Sequence, residues 1–147
     1  MSIDDDIMLF KRIPTLRLLG SDALRMLAIG SEQRDFVHGD TLFKEGDEAD
    51  AGFVVRHGTF RVAGRAGAEI TVGPGTLIGE LAMVVPTKRS STVIALQRSS
   101  VVRISRSMFQ RVLENDPAAA RRLRDEFAIR SSQIVSDFQE AGTRLII

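Results

Sequence analysis

The amino-acid sequence predicts an α+β fold, in which an antiparallel, jelly-roll-like β-barrel is flanked by helices on both sides. Apolar residues recur at helical spacing in residues 1–33 and again in residues 106–142. Between these segments, residues 34–105 contain short β-rich runs, and nine of the twelve glycines lie between positions 39 and 79. Many short strands separated by glycine turns are typical of a sandwich or barrel.

The composition narrows the classes of function. The 147 residues fit one domain, which we expect to span 1–147, and the formal net charge is +1. This balance gives no electrostatic support for binding nucleic acid or a membrane surface. The chain begins with MSIDDDIMLF and has no apolar run of about 20 residues, so neither a secretory signal nor a transmembrane helix is expected. We therefore expect a cytoplasmic protein without membrane insertion.

The flanking segments carry recognisable helix signals. In residues 1–33, Ser21-Asp22 has the character of a helix cap, because apolar residues at helical spacing follow it. In residues 106–142, Asp116 and Pro117 predict the N-cap and first residue of a second helix, which we expect to reach about Gly142. The strands between them are predicted at residues 35–38, 41–44, 53–57, 59–63, 69–72, 91–96 and 101–105.

The segment with the clearest chemistry is residues 73–96, GPGTLIGELAMVVPTKRSSTVIAL. Gly79 has no side chain, so a sharp turn or a ligand can approach its backbone. The Glu-Leu-Ala-Met run after it favours a helix, but only about one turn fits before Pro86. Arg89 and the hydroxyl residues Ser90 and Ser91 follow. A glycine-led helix start, an arginine and a serine together make a phosphate-binding site plausible.

With these residues in view, the sequence resembles the cyclic nucleotide-binding domain family, which is shared by catabolite-activator-type regulators, cyclic-nucleotide-gated channels and regulatory subunits of cAMP-dependent kinase. The resemblance covers about residues 7–140. Residues 78–91 resemble the family's phosphate-binding cassette, a Gly-Glu-Leu-Ala start followed by an arginine and a small residue. The glycine framework upstream is also similar: Phe36-x-x-Gly39-Asp40, Glu45-Gly46-Asp47 and Phe53-x-Val55-x-x-Gly58-x-x-x-Val62.

The resemblance implies a role for each cassette residue. Glu80 accepts a hydrogen bond from the ribose 2′-hydroxyl, and Arg89 forms an ion pair with the cyclic phosphate. Ser90 donates to the phosphate or to the base, whereas Ser91 is expected to face the other side of its strand. Backbone N–H groups complete the set of ligand contacts, and they come from Gly79, Leu81 and Ala82. Two departures are expected to be tolerated: Ile78 replaces a common aromatic residue, and Lys88 replaces the usual proline.

The last helix is implied to act as a lid over the base. Phe127, Arg130 and Ile134 share one face of that helix, at spacings of three and four residues. A cation in an apolar stripe needs a partner, so Arg130 either pairs with Glu80 or the ligand as a latch, or forms an exposed salt bridge. Ile134 is a candidate for packing on the base.

The predicted function is that of a non-catalytic cyclic-nucleotide sensor, with no cofactor and no metal. His38 and His57 lie far apart without ligand-like neighbours, and no nucleophile–base arrangement suggests an enzyme. We expect cAMP as the ligand, with cGMP as the alternative, because a serine after the arginine does not decide between them. The second hypothesis is a protein-interaction module that keeps the fold without binding nucleotide.

The C-terminal residues of the sequence bear on the partners of the protein. Only about five residues follow Gly142, so an appended DNA-binding domain is not expected, and the chain would act as a stand-alone module on an unidentified effector protein. Apolar positions recur every seven residues at Phe127, Ile134 and Ala141, which leaves open a homodimer through the lid helix.

Overall fold

The N-terminal part of the protein is helical. The computed structural model describes residues 2–64, 67–126 and 128–129. It contains helix α1 (Ile3–Phe10), a 3-10 helix (Leu16–Leu18) and helix α2 (Ser21–Gly30). Helix α1 begins with a capping box, in which the Ser2 hydroxyl accepts from the Asp5 N–H (3.1 Å) and the Asp5 carboxylate accepts from the Ser2 N–H (3.2 Å).

The start of α2 differs from the expectation that Ser21-Asp22 would cap it. Gly20 is the N-cap residue, in extended backbone with φ −71° and ψ 168°, and no side chain caps the helix. Ser21 is itself the first helical residue. Its hydroxyl therefore lies one position beyond the place from which a cap side chain accepts the free N–H groups.

The described residues contain ten β-strands. They are β1 (Glu32–Phe36), β2 (Thr41–Phe43), β3 (Glu48–Ala49), β4 (Ala51–His57), β5 (Phe60–Gly64), β6 (Glu69–Val72), β7 (Leu77–Ile78), β8 (Thr87–Lys88), β9 (Ser91–Ala95) and β10 (Ser99–Ser105). They pair antiparallel into two four-stranded sheets, β1-β10-β4-β7 and β2-β9-β5-β6, and the pair β3-β8. The predicted fold class is confirmed, although the sheets do not close into a continuous barrel.

Two details of the strands were not predicted. β1 occupies Glu32–Phe36 instead of residues 35–38, because a turn follows it: the Asp40 carboxylate accepts from the Val37 N–H (2.9 Å), and Gly39 has φ 91°. The two-residue strands β3, β7 and β8 are too short to produce a periodic pattern in the sequence.

Strand β4 separates two apolar cores, because its side chains alternate between its two faces. Phe53 and Val55 lie in the core between the two large sheets, which also contains Phe43, Phe60 and Val93. On the opposite face, Val54 packs in the core formed with the helices. The largest buried side chains of that second core are Phe10, Leu16, Leu24, Leu27, Met83, Ile104 and Phe109.

An ion pair fixes α1 to the sheet. The Arg56 side chain, on the helix-facing side of β4, is only 7% exposed and pairs with Asp6 of α1. It also donates a hydrogen bond to the side-chain oxygen of Gln33 on β1. A guanidinium so deeply buried is tolerated because it has these two acceptors.

In the part of the chain that the structure describes, two helical segments follow the strands. Helix α3 (Arg106–Glu114) is capped by the Ser105 hydroxyl, which accepts from the Met108 N–H at 3.1 Å. Residues 117–126 are helical, and the Asp116 carboxylate accepts from the Ala119 N–H (3.1 Å), as the predicted Asp-Pro start requires. Among the helices that the structure describes, none has the length and hydropathy needed to cross a membrane.

Candidate functional site

The candidate site is built on the turn at Gly79. This residue has a left-handed backbone (φ 75°, ψ 36°) and precedes a 3-10 helix, Glu80–Met83. A Cβ at Gly79 would lie 2.5 Å from Nη1 of Arg89 and 3.5 Å from the Ala51 carbonyl oxygen. The absent side chain thus makes room for the arginine. The predicted single helical turn is present, as a 3-10 helix.

Arg89 lies almost completely inside the protein, with 6% of its surface exposed. Its guanidinium carbon is 4.1 Å from the centre of the Phe43 ring and 5.4 Å from that of Phe53. Nη2 donates to the Ala51 carbonyl oxygen at 2.8 Å. The side chain is therefore held between β2, β4 and the turn at Gly79, with its position fixed on three sides.

The charge of Arg89 is incompletely compensated. Its Nε is buried without an acceptor, and it forms no ion pair with any residue that the structure describes. The nearby Asp50 carboxylate instead pairs with Arg103 at 3.1 Å. Burial lowers the pKa of Arg89 to about 10, while the charge of Asp50 raises it. At neutral pH the guanidinium is still cationic, and it can bind an anion.

The backbone of Arg89 is locked by a turn from the glycine framework. The Arg89 N–H donates to the Asp47 carbonyl oxygen, and the Gly46 N–H donates to the Arg89 carbonyl oxygen, both at 2.8 Å. Gly46 has φ 89°, which is readily adopted by glycine and costly for most other residues. The Glu45-Gly46-Asp47 motif thus has a structural role, which is to position Arg89.

Glu80 is the first residue of the 3-10 helix and is partly buried. Its Oε2 accepts a hydrogen bond from the hydroxyl of Thr15, a residue that is 1% exposed. Thr15 belongs to the N-terminal helical segment and was not singled out in the sequence. The contact brings that segment directly against the cassette.

The two serines after Arg89 alternate in exposure. Ser90 is exposed, whereas Ser91 is buried and lies on the same face of the chain as Arg89 and Val93. Ser91 therefore faces the other side from Ser90, as the sequence suggested. Ala82 is also buried, and its N–H donates to the Gly79 carbonyl oxygen at 3.2 Å, while Leu81 is partly buried.

Arg106 connects the cassette to the C-terminal helices. It is the first residue of α3, and its Nη1 donates to the carbonyl oxygens of Ala49 (3.0 Å), Ala82 (3.2 Å) and Val85 (3.2 Å). These carbonyls lie next to the helical turn that starts at Gly79. Arg106 therefore joins the cassette to the start of α3.

Other predicted residues are not placed by the structure. Phe127, Arg130 and Ile134 lie outside the described residues, so the latch and base-packing hypotheses stay predictions. A separate groove of about 630 Å³ is lined by residues of β1, β4 and β10 and contains no cassette residue. Within the described part of the chain, no cluster of three or more His, Cys, Asp or Glu side chains could hold a metal ion.

The aromatic surroundings of Arg89 were not predicted from the sequence. Phe43 and Phe53 were assigned only to strands, and Phe53 also to the glycine framework. Their spacing from Arg89 along the chain carries no signal, because the contact depends on how β2 and β4 face each other across the core. Thr15 lacked a signal for the same reason, since its partner Glu80 is distant in sequence.

Comparison with known families gives a match over most of the described chain. Residues 33–116 match the model of the cyclic nucleotide-binding domain. The regulatory subunit of a cAMP-dependent protein kinase from Debaryomyces hansenii is 27% identical over 120 residues, covering 74% of this chain and 26% of the subunit. The chain spans 7% to 26% of the length of the curated relatives considered, so it corresponds to one part of those proteins.

Solved structures resemble the protein over a larger share of their own length. A cyclic nucleotide-binding-like protein from Brucella abortus is 35% identical, with a TM-score of 0.67, covering 76% of this chain and 99% of that one. The N-terminal domain of a transcriptional regulator from Streptomyces coelicolor is 27% identical, with a TM-score of 0.77, covering 92% of this chain and 99% of that domain.

Proposed function

This chain belongs to the cyclic nucleotide-binding domain family, and we propose that the site around Arg89 binds a cyclic nucleotide and makes the protein a non-catalytic sensor. The observation that carries the proposal is the buried guanidinium of Arg89, which has one backbone acceptor and no ion pair among the described residues. A cation in this position is costly unless an anion joins it. A cyclic phosphate supplies one negative charge and several acceptor oxygens.

The neighbouring groups suit the rest of such a ligand. In the proposed complex, the phosphate binds the guanidinium of Arg89, which lies close to Gly79 because that residue has no side chain. Glu80 begins the adjacent helical turn and accepts the ribose 2′-hydroxyl. This arrangement keeps the carboxylate on the sugar and the guanidinium on the phosphate, so that each charge has the partner its chemistry requires.

We propose cAMP as the preferred nucleotide, with cGMP as the competitor. Ser90 follows Arg89 and is exposed, so its hydroxyl is accessible to a ligand. A serine at this position can donate one hydrogen bond to either purine or to the phosphate, and it does not enforce a guanine. The ratio of the affinities for cAMP and cGMP is therefore the quantity that measures the base preference.

The two serines give a direct test of which hydroxyl contacts the ligand. Ser90→Ala is expected to weaken nucleotide binding by roughly three- to tenfold, because it removes one hydrogen bond of about 1 kcal/mol. Ser91→Ala is the matched control, since it removes the same hydroxyl from a buried position next to the exposed Ser90. Calorimetric titration of both variants decides the point. A larger loss in Ser91→Ala than in Ser90→Ala would assign the contact to Ser91 instead.

We propose that the response to the nucleotide is a change in the C-terminal helices. The Arg106 contacts with Ala82 and Val85 provide the physical link, because they join the cassette to the first residue of α3. A ligand shifts such an equilibrium only by its difference in affinity between the two states. An effector protein that receives the signal would bind one of these two states more tightly than the other.

Hydrogen exchange measures this response. Addition of saturating cAMP is expected to slow amide exchange in residues 117–142, because the docked arrangement of these residues binds the nucleotide more tightly. The matched control is 5′-AMP, which carries the same base and ribose without the cyclic phosphate. Unchanged exchange in this segment, with slowed exchange confined to the cassette, would contradict a response of the C-terminal helices.

A thermal-shift measurement tests whether the folded protein binds the nucleotide at all. A ligand at about 100 times its dissociation constant stabilises the folded state by about 2.7 kcal/mol, so the melting temperature is expected to rise by several degrees. Linear 5′-AMP at the same concentration is expected to produce a much smaller shift. Equal shifts with both nucleotides would contradict recognition of the cyclic phosphate.

A further inference from the structure

Thr15 makes a contact to the cassette that its position in the sequence does not indicate. Its hydroxyl donates to Oε2 of Glu80, across 65 residues of sequence. Thr15 stands between the end of α1 and the 3-10 helix Leu16–Leu18, outside the family-matched residues 33–116. A residue of the N-terminal segment thus touches the carboxylate that we assign to the ribose.

The position of the Thr15 hydroxyl is fixed by the surrounding fold. The residue is 1% exposed, and its neighbours Ile13 and Leu16 are buried in the helical core. Its carbonyl oxygen accepts from the Leu18 N–H at 3.3 Å, within the 3-10 turn. A β-branched side chain has restricted freedom at χ1, so fixing the hydroxyl of this buried threonine costs little side-chain entropy.

The segment around Thr15 is attached on both sides of the site. Arg12 donates to the Pro74 carbonyl oxygen at 3.5 Å, in the turn before the cassette. Arg122, in the helical residues 117–126, donates to the Leu18 carbonyl oxygen at 2.9 Å. Thr15 lies between these two attachments, so its hydroxyl has a defined position relative to Glu80.

We propose that Thr15 is a positioning residue that orients the Glu80 carboxylate toward the ribose 2′-hydroxyl and so sets the selectivity for ribonucleotides over 2′-deoxyribonucleotides. The inference rests on the proposed function. A carboxylate has about four lone-pair directions on its two oxygens, so one bond from Thr15 and one from the ribose are compatible. Because the Glu80 rotamer is already fixed, its carboxylate accepts from the 2′-hydroxyl without a further loss of side-chain conformational entropy on binding.

The test is a cycle of two ligands and three proteins: cAMP and 2′-deoxy-cAMP titrated into the wild-type chain, Thr15→Val and Thr15→Ser. The quantity of interest is the affinity ratio of the two nucleotides. Thr15→Val has nearly the same shape without the hydroxyl and is expected to reduce this ratio roughly three- to tenfold, with 2′-deoxy-cAMP binding nearly unchanged. Thr15→Ser keeps the hydroxyl and is expected to retain most of the ratio.

The outcomes separate the inference from the proposed function. A wild-type ratio that persists in Thr15→Val, or an equal weakening of both nucleotides, overturns the positioning role, because a merely structural residue affects both ligands alike. Failure of the wild-type chain to bind either nucleotide overturns the proposed function, and the inference with it. Thr15→Ala serves as a second hydroxyl-free variant should Thr15→Val fold poorly, and thermal melting of each variant monitors folding.

Discussion

Arg89→Ala is expected to weaken cyclic-nucleotide binding by about tenfold to a few hundredfold, which corresponds to the loss of a charge-assisted contact of about 1.5–3 kcal/mol. The effect is large because the guanidinium is fixed before the ligand arrives. Phe43 and Phe53 lie against it, and the Ala51 carbonyl oxygen accepts from Nη2 at 2.8 Å. Binding therefore costs little reorganisation, and that advantage is lost together with the charge.

The adjacent Lys88 provides the matched control for charge. Lys88 is exposed, so Lys88→Ala removes the same formal charge from a solvent-screened position. Its affinity for the nucleotide is expected to fall by less than about threefold. Comparable losses in Lys88→Ala and Arg89→Ala would show that the effect is general electrostatic attraction, and the assignment of Arg89 to the phosphate would fail.

Arg89→Met separates binding from folding. The methionine side chain fills the space beside the two phenylalanines, and it removes a buried cation that has no ion pair among the described residues. Replacing such a charge by an apolar side chain is often neutral or stabilising, so the free energy of unfolding is expected to stay equal or rise by about 1 kcal/mol. Chemical denaturation measures this. A large loss of stability would mean that Arg89 is needed for the fold itself.

Gly79→Ala is expected to damage both stability and binding. A left-handed conformation costs about 1–2 kcal/mol for a residue with a Cβ, and Gly79 has φ 75°. The added Cβ would also lie 2.5 Å from Nη1 of Arg89, a distance that forces the guanidinium to move. We expect the free energy of unfolding to fall by about 1–3 kcal/mol and nucleotide affinity to fall at least about tenfold.

The matched control is Gly39→Ala. Gly39 has φ 91°, and an added Cβ there meets no atom within 4 Å. This variant carries a comparable backbone strain without touching the site, so it is expected to lose stability while retaining nucleotide affinity. If Gly79→Ala bound the nucleotide as tightly as Gly39→Ala does, the close approach of Gly79 to Arg89 would have no role in recognition.

The parts of the fold predicted from the sequence are those with local signals. Glycine turns and alternating β-rich runs located the strand region, and Asp116-Pro117 located the start of a helix. The predicted position of the α2 cap was wrong by one residue. Gly20 and Ser21 are both acceptable at a helix start, and only the backbone conformation distinguishes them. The first strand was predicted too far along the chain, at residues 35–38, because residues 37 and 38 belong to the turn at Gly39 and not to β1.

The candidate site was predictable only as far as its motif extends. Gly79, Glu80 and Arg89 lie in one segment, so their association is visible in the sequence. The groups that hold them are contributed by distant segments and are brought together by the sheets: Phe43, Phe53, Thr15 and the Gly46 N–H. Long-range packing of this kind leaves no spacing rule along the chain.

Isothermal titration of the chain with cAMP and with cGMP, with Arg89→Ala as the control, is the most direct test of the proposed sensor function. We expect a dissociation constant of about micromolar or tighter for at least one nucleotide, tighter binding of cAMP than of cGMP, and a loss of affinity in the variant. Absence of binding heat with either nucleotide, together with an unchanged melting temperature, would contradict the sensor function and favour an interaction module that retains the fold alone.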